Sequence, residues 1–395
     1  MRAMNTIRAS LSFVLSAAGL LILLSSCGGG EEKNPFSVKS EVVTAADRPI
    51  TLAFAPDGRL FYGEHQTGNI RIVTADGTLL SEPFAHVDVH IGLEWGLTGL
   101  AIDPDFDRNH YVYAYFTQVV NPGPPPEVLT AHPVITRFTE RDNKGIDPRV
   151  IVDDLPPSDP AHPGYNGNGR INFGPDGKLY FSIGDYDIKL SKDLSVPQGK
   201  LLRVDKEDGS APADNPLVGQ SDADPRIFAY GFREAFDFAF HPETGKIYGT
   251  DNTPVSCEEL NIINAGDAYG APDFGEFPFA DCRFGEHTKG IHFFAKKDLR
   301  PEDFLSITVV SGLAFVDGAK YPSIGPALLA CESEIETHTL RRLTLSDTGT
   351  QVLADDIVID DCNMDVKISP DGTIFYSNEK EIRRLIFEAT PEGED

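Results

Sequence analysis

"FGPDGKLYFSIGD" occupies residues 173–185. An apolar residue, a Pro-Asp-Gly turn and an alternating apolar strand ending on an acid read together as one β-hairpin. The phrase returns as "FAPDGRLFYGE" (54–64), "FHPETGKIYGTD" (240–251) and "ISPDGTIFYSN" (368–378). Two looser versions, "IDPDFDRNHYVYAYFT" (102–117) and "FVDGAKYPSIGPALLACE" (315–332), fill the gaps and bring the copies to six. Phe54 and Ile368 mark equivalent turns, and the five intervals between them average roughly 63 residues. That period exceeds a WD40 or kelch repeat, so long loops must join the strands. The 36 Gly and 29 Pro fit many turns, and no amphipathic pattern sustains a helix beyond two or three turns. Six such units predict an all-β fold, a six-bladed β-propeller of four-stranded antiparallel blades. A strand near 40–45 would close the ring by pairing with "EIRRLIF" (381–387). A stacked β-helix is the rival, but its repeats are much shorter.

The repeat also aims side chains. Even separations from turn glycine to terminal polar residue (Gly58 to Glu64, Gly177 to Asp185, Gly245 to Asp251, Gly372 to Asn378) place these residues on one strand face. If their strands are innermost, Glu64, Asp185, Asp251 and Asn378 line a channel mouth with oxygen ligands. Otherwise each caps the loop that follows it.

Residues 1–26 carry Arg2 and Arg8, a short apolar run and small residues, the pattern of a secretory signal. "LSSC" (24–27) resembles a bacterial lipobox. It makes Cys27 the expected lipid-modified first residue of an exported, membrane-anchored protein, periplasmic or at the cell surface; an ordinary cleaved signal is the alternative. Residues 27–44 then form the anchored tether, 45–388 the propeller and 389–395 an acidic tail. Cys257, Cys282, Cys331 and Cys362 remain, and four cysteines in an oxidising compartment allow three pairings. Sequence order favours Cys257–Cys282 and Cys331–Cys362, with free buried thiols as the alternative. The net charge of −27 repels phosphate backbones, which argues against nucleic acid and leaves the N-terminal lipid as the expected membrane contact. Nothing in the sequence specifies an oligomeric state.

Five ordered blocks carry more than the turns do: "EWGLTGLAIDPDFDRNHYVYAYFT" (94–117), "GRINFGPDGKLYFSIGD" (169–185), "QGKLLRVDKEDGSAPADNPL" (198–217), "IFAYGFREAFDFAFHPETGKIYGTDN" (227–252) and "EELNIINAGDAYGAP" (258–272). From about residue 45 to 388 the chain resembles the soluble quinoprotein sugar dehydrogenases, the glucose/sorbosone dehydrogenase family of six-bladed propellers. The resemblance implies pyrroloquinoline quinone (PQQ) over the central channel, a calcium ion polarising it, and a histidine base. A sugar hydroxyl loses its proton while hydride passes to the quinone.

Carried over residue by residue, the resemblance places cofactor contacts at Arg233 and Asn252, and calcium carbonyls at Thr253 and Pro254 after Asp251. Glu258 and Glu259 match structural calcium ligands, with Tyr269 supplying a carbonyl; a solvated acidic loop pinned by Cys257 is the alternative. Elsewhere the pattern changes. Asn166 stands at the histidine-base position in "NGNGR", where Arg170 is kept and His162 lies four residues earlier. An asparagine takes no proton, so a base there is inactive. "REAFD" puts Glu234 and Phe236 where the family has amides, and "CNMDV" puts Cys362 and Met364 where it has two arginines. A lysine expected on the fifth repeat has no counterpart in "LLACESEIET". A Cys331–Cys362 bridge would tie blades five and six where the cofactor should lie.

The expected function is therefore a PQQ-dependent aldose dehydrogenase-like protein with a sugar ligand. Two alternatives stand beside it: a non-catalytic, calcium-stabilised propeller binding carbohydrate or protein, and a calcium-dependent hydrolase such as a lactonase. No nucleophile elbow, P-loop, dinucleotide fingerprint or zinc spacing occurs, which disfavours those chemistries.

Overall fold

The structure, a computed structural model, describes residues 35–91, 95–120, 130–157, 167–185, 190–252, 258–270, 290–294, 309–333 and 337–387. The described chain opens on β1 (Val38–Ala45) and then lays down six sheets. Blade one holds β2 (Pro49–Phe54), β3 (Leu60–Glu64), β4 (Asn69–Val73) and β5 (Ala85–His86). Blade two holds β6 (Leu97–Ile102), β7 (Tyr111–Val120), β8 (Thr130–Arg141) and β9 (Lys144–Val152). Blade three holds β10 (Asn168–Phe173), β11 (Leu179–Ile183), β12 (Lys200–Val204) and β13 (Ile227–Tyr230). Blade four holds β14 (Phe238–Phe240), β15 (Ile247–Asp251), β16 (Glu259–Ile263) and β17 (His292–Phe293). Blade five holds β18 (Val309–Val316), β19 (Ala327–Ser333), β20 (His338–Leu345) and β21 (Val352–Asp360). Blade six joins β22 (Asp365–Ile368), β23 (Ile374–Ser377) and β24 (Glu381–Phe387) to β1.

Every sheet is four-stranded with consecutive antiparallel neighbours, as the repeat requires. The last blade contains both ends of the ring: Val38 faces Phe387 and Ala45 faces Glu381. Residues 38–44, assigned above to the tether, therefore belong to the propeller. The first strands pack side by side in ring order, β2 to β6, β10, β14, β18, β22 and back to β2, so they surround the axis. Among the described residues the one helix is the single turn Phe106–Asn109, and none is long and apolar enough to cross a membrane.

The recurring turn has a local cause. Gly177 donates its N–H to the Gly174 carbonyl at 2.9 Å with φ +71°, a backbone state that costs an L side chain dearly. The preceding Asp176 accepts the Lys178 N–H at 3.1 Å, and Asp57 and Asp371 do the same for Arg59 and Thr373. The Asp-Gly pair thus closes the first hairpin of blades one, three and six, while in blade four Thr244-Gly245 takes its place.

The hairpin corrects one sequence expectation. Its outgoing strand is the second of the blade, while the innermost strand is the one before the turn. Glu64, Asp185, Asp251 and Asn378 are all buried at equivalent ends of second strands rather than on the channel wall. Glu64 accepts from Thr67 Oγ1 and Asn69 Nδ2, and Asn378 Oδ1 accepts the Lys380 and Glu381 N–H groups. Those two are loop caps. Asp251 does something larger.

Candidate functional site at the channel mouth

First strands begin, and second strands finish, at one end of the ring, which is the mouth. Here the loop entering blade four is held by Asp251, whose buried carboxylate accepts the backbone N–H of Glu234 at 2.7 Å and of Arg233 at 3.1 Å. Arg233 donates to the Asn252 carbonyl at 3.0 Å and lies 3.7 Å from the Glu234 carboxylate. Asn252 Oδ1 accepts the Val310 N–H of blade five at 3.1 Å, while its Nδ2 is buried without a hydrogen-bond partner among the described residues. Arg233 and Asn252, the two positions the resemblance assigns to the cofactor, therefore lie side by side.

Beside them, Glu258 is 1% exposed and neither of its carboxylate oxygens has a hydrogen-bond partner among the described residues. Burial pushes its pKa up to about 8. Burial and the neighbouring Glu259 charge take Asp251 to about 8, and burial takes Glu259 to about 7. A bare buried carboxylate is costly, and a cation is one way to relieve it. Glu258 and Glu259 are adjacent in extended chain, so their side chains leave on opposite sides. Glu259 accordingly accepts from Asn261 Nδ2 at 3.1 Å, whereas Glu258 feels Arg233 and Glu332. Among the described residues no group of three or more His, Cys, Asp or Glu side chains is close enough to hold a metal. Tyr269 is fully buried, stacked on Phe232 at 4.7 Å, with its hydroxyl donating to the Ile262 carbonyl at 2.6 Å. Its carbonyl oxygen would lie 1.9 Å from a Cβ at Gly231, so that backbone approach requires glycine.

On the axis the floor of the mouth is apolar. Ile50, Phe236 and Met364 form one buried cluster. They come from blades one, four and six, and blades one and four stand opposite each other, so their contact crosses the channel. Next to them lies an ionic layer that the sequence reading passed over, apart from Arg170. The Arg170 guanidinium donates to the carbonyls of Thr98 at 2.7 Å and of Ser311 and Met364 at 2.8 Å, and lies 5.0 Å from the Phe236 ring centre. Those carbonyls belong to blades two, five and six. Lys367 pairs with Asp365 at 2.8 Å and Asp237 at 3.5 Å. Asp237 accepts the Leu313 N–H of blade five at 2.7 Å, and Asp365 the Leu52 N–H of blade one at 2.8 Å. The signal was present as an Asp-apolar pair at the start of two first strands, Asp237-Phe238 and Asp365-Val366.

Cys331 and Cys362 are disulfide-bonded, with Cα atoms 5.2 Å apart. Both are fully buried among Leu329, Leu340, Val366 and Tyr376, in the apolar seam between blades five and six. The bridge ties those blades as expected, but it lies in the seam and not in the mouth. Strand alternation explains the difference, because Cys331 faces the seam while Glu332 turns the other way to pair with Arg341 at 2.7 Å. Cys27, Asn166, His162, Thr253, Pro254, Cys257 and Cys282 lie outside the described residues.

Among the described residues, the donors around the mouth do not fit a tricarboxylate quinone. Cys362 and Met364, at the positions where the resemblance expects two arginines, offer a disulfide sulfur and a thioether. Arg233 already neighbours Glu234, and Arg170 spends its terminal nitrogens on three backbone carbonyls.

Comparison with known proteins places this architecture. The chain is 26% identical over 366 residues to aldose sugar dehydrogenase YliI of Escherichia coli (strain K12), covering 89% of this chain and 93% of that one. It is 29% identical over 257 residues to quinoprotein glucose dehydrogenase B of Acinetobacter calcoaceticus, covering 60% and 52%. The PQQ-bound aldose sugar dehydrogenase of Streptomyces coelicolor shares the fold, with a TM-score of 0.67 at 23% identity over 89% of this chain and 99% of that one. The family model described as Glucose / Sorbosone dehydrogenase matches residues 46–386. With six blades in the expected order and a match along nearly the whole ring, this chain belongs to the glucose/sorbosone dehydrogenase family.

Proposed function

We propose that the protein is an aldose dehydrogenase-like propeller that engages an aldose-type sugar at the channel mouth, with calcium stabilising the blade-four side. The family match and the aldose and glucose dehydrogenases named among its relatives support the substrate class. The observation that carries the calcium reading is Glu258, a buried carboxylate with both oxygens unpartnered among the described residues. Of the structural-calcium ligands assigned from sequence, Glu258, Glu259 and the Tyr269 carbonyl, Glu258 is the one whose surroundings ask for a cation; Thr253 and Pro254 belong to the separate calcium that the resemblance places with the cofactor. We further propose export with a lipid on Cys27, an anchored segment ahead of the ring and an acidic tail after it.

A second reading, binding of sugar without redox turnover, is favoured by the apolar axial floor and by Asn166 at the base position. One experiment tests both. Purified mature protein with calcium is titrated with a panel of aldoses by calorimetry, and dye-linked oxidation is followed with added PQQ. Saturable binding with turnover supports the dehydrogenase, binding without turnover supports the second reading, and no binding of any aldose refutes the sugar assignment.

A further inference from the structure

We propose that the mouth of this propeller excludes a tricarboxylate quinone, and that Met364 and Glu234 are the residues that decide it. The proposal rests on the mouth being the ligand site. It concerns which ligands that site accepts.

A tricarboxylate approaching the axis must shed water from three anionic groups and find donors or cations for them. The floor it meets is Ile50, Phe236 and Met364, which offer methyl, phenyl and thioether surfaces and no donor. Met364 contributes its backbone carbonyl to Arg170, so the guanidinium that lies under the floor faces protein oxygens instead of the mouth. Cys362, two residues before Met364, has its sulfur in the disulfide within the blade-five to blade-six seam. At the rim, Arg233 has an anionic neighbour in Glu234 at 3.7 Å and donates to the Asn252 carbonyl. Asp251, Glu258 and Glu332, all buried, add further acids to the same side. The anionic Glu234 beside Arg233 and a floor without donors leave a polyanion little to replace its lost hydration.

An uncharged polyol meets the opposite situation. Its hydroxyls can donate to carboxylates, and its C–H face can lie against Phe236 and Met364 without losing a strong hydration shell. The mouth therefore selects for a neutral, hydroxyl-rich ligand, which deepens the sugar reading while removing the family's quinone from this chain.

The test is equilibrium titration with PQQ in the presence of calcium, read by the quinone absorbance. It compares the parent protein with Glu234→Gln and with the double variant Glu234→Gln/Met364→Arg. Glu234→Gln removes the rim charge at constant size. An arginine at 364 has a stem long enough to carry its head to the mouth while its methylenes replace the thioether in the floor. The parent is expected to bind weaker than about 10 μM. The double variant should bind at least tenfold tighter, which is about 1.4 kcal/mol, with Glu234→Gln between them. Sub-micromolar binding by the parent overturns the proposal, and so do variants no tighter than the parent. If the double variant fails to fold, as judged by its melting curve, Glu234→Gln alone decides by the same criterion. Sugar calorimetry on the parent without quinone is scored separately: its failure removes the sugar reading and leaves the exclusion of the quinone standing.

Discussion

Replacing Arg170 by methionine should show how the ring is held at its axis. Arg170 is 2% exposed and its guanidinium donates to carbonyls of blades two, five and six. It also balances the layer electrostatically, since Arg170 and Lys367 stand against Asp237 and Asp365. Methionine keeps the length and the contact with Phe236 but leaves three buried carbonyls without a donor and one carboxylate without its counter-charge. Each hydrogen bond to a charged group is worth about 1.5–3 kcal/mol. The three share one guanidinium and are not additive, so the loss of one member of a buried charge network, about 3–5 kcal/mol, is the better measure. Set against a domain stability of about 5–15 kcal/mol, that is a large fraction. Urea unfolding read by the single tryptophan, Trp95, which is 1% exposed, measures it, with far-UV circular dichroism checking that the two transitions coincide. Arg170→Lys should recover part of the loss, because one ammonium can still reach one or two carbonyls. The effect should be nearly independent of salt, since the layer is buried. A methionine variant within about 1 kcal/mol of the parent, or a lysine variant no better than methionine, refutes the axial brace.

Calcium-free protein should lose stability as pH rises. Burial raises Glu258 and Asp251 in the folded state to about 8, well above the usual carboxylate range, so the folded state binds more protons between that range and pH 8 and its advantage is lost as pH rises through 8. Calcium should flatten that slope, and Glu258→Gln should raise chelator-treated stability while abolishing stabilisation by calcium; melting curves from pH 5 to 9 with calcium or chelator test both. Cys331→Ala/Cys362→Ala opens a cross-link of sequence separation 31 between two blades and should cost roughly 3 kcal/mol in urea unfolding; a parent that is equally stable after reduction would argue against it. Cys27→Ser should move the protein from the membrane fraction to the soluble fraction, and a mature chain beginning elsewhere would remove the lipid assignment.

By itself the sequence determined the fold, because what defines a propeller blade is local. A Pro-Asp-Gly turn needs only its own glycine at positive φ and its own aspartate to cap it, and alternation along "KLYFSI" needs only strand geometry. Ring closure was legible for a related reason, since the strand near 40–45 had no partner until "EIRRLIF" supplied one. The Cys331–Cys362 pairing was legible as a consequence of repeat layout. Only the tertiary structure decided which strand of each hairpin faces the axis, and this moved Glu64, Asp185, Asp251 and Asn378 off the channel wall. Only it showed that the disulfide lies in a seam, since side-chain facing depends on register with another blade. It alone assembled Ile50, Phe236 and Met364 into one floor and Arg170, Lys367, Asp237 and Asp365 into one brace. Those residues are separated by as many as 317 positions along the chain and meet because six sheets point their first strands at a common axis. Such convergence is a property of the ring, and no local pattern encodes it.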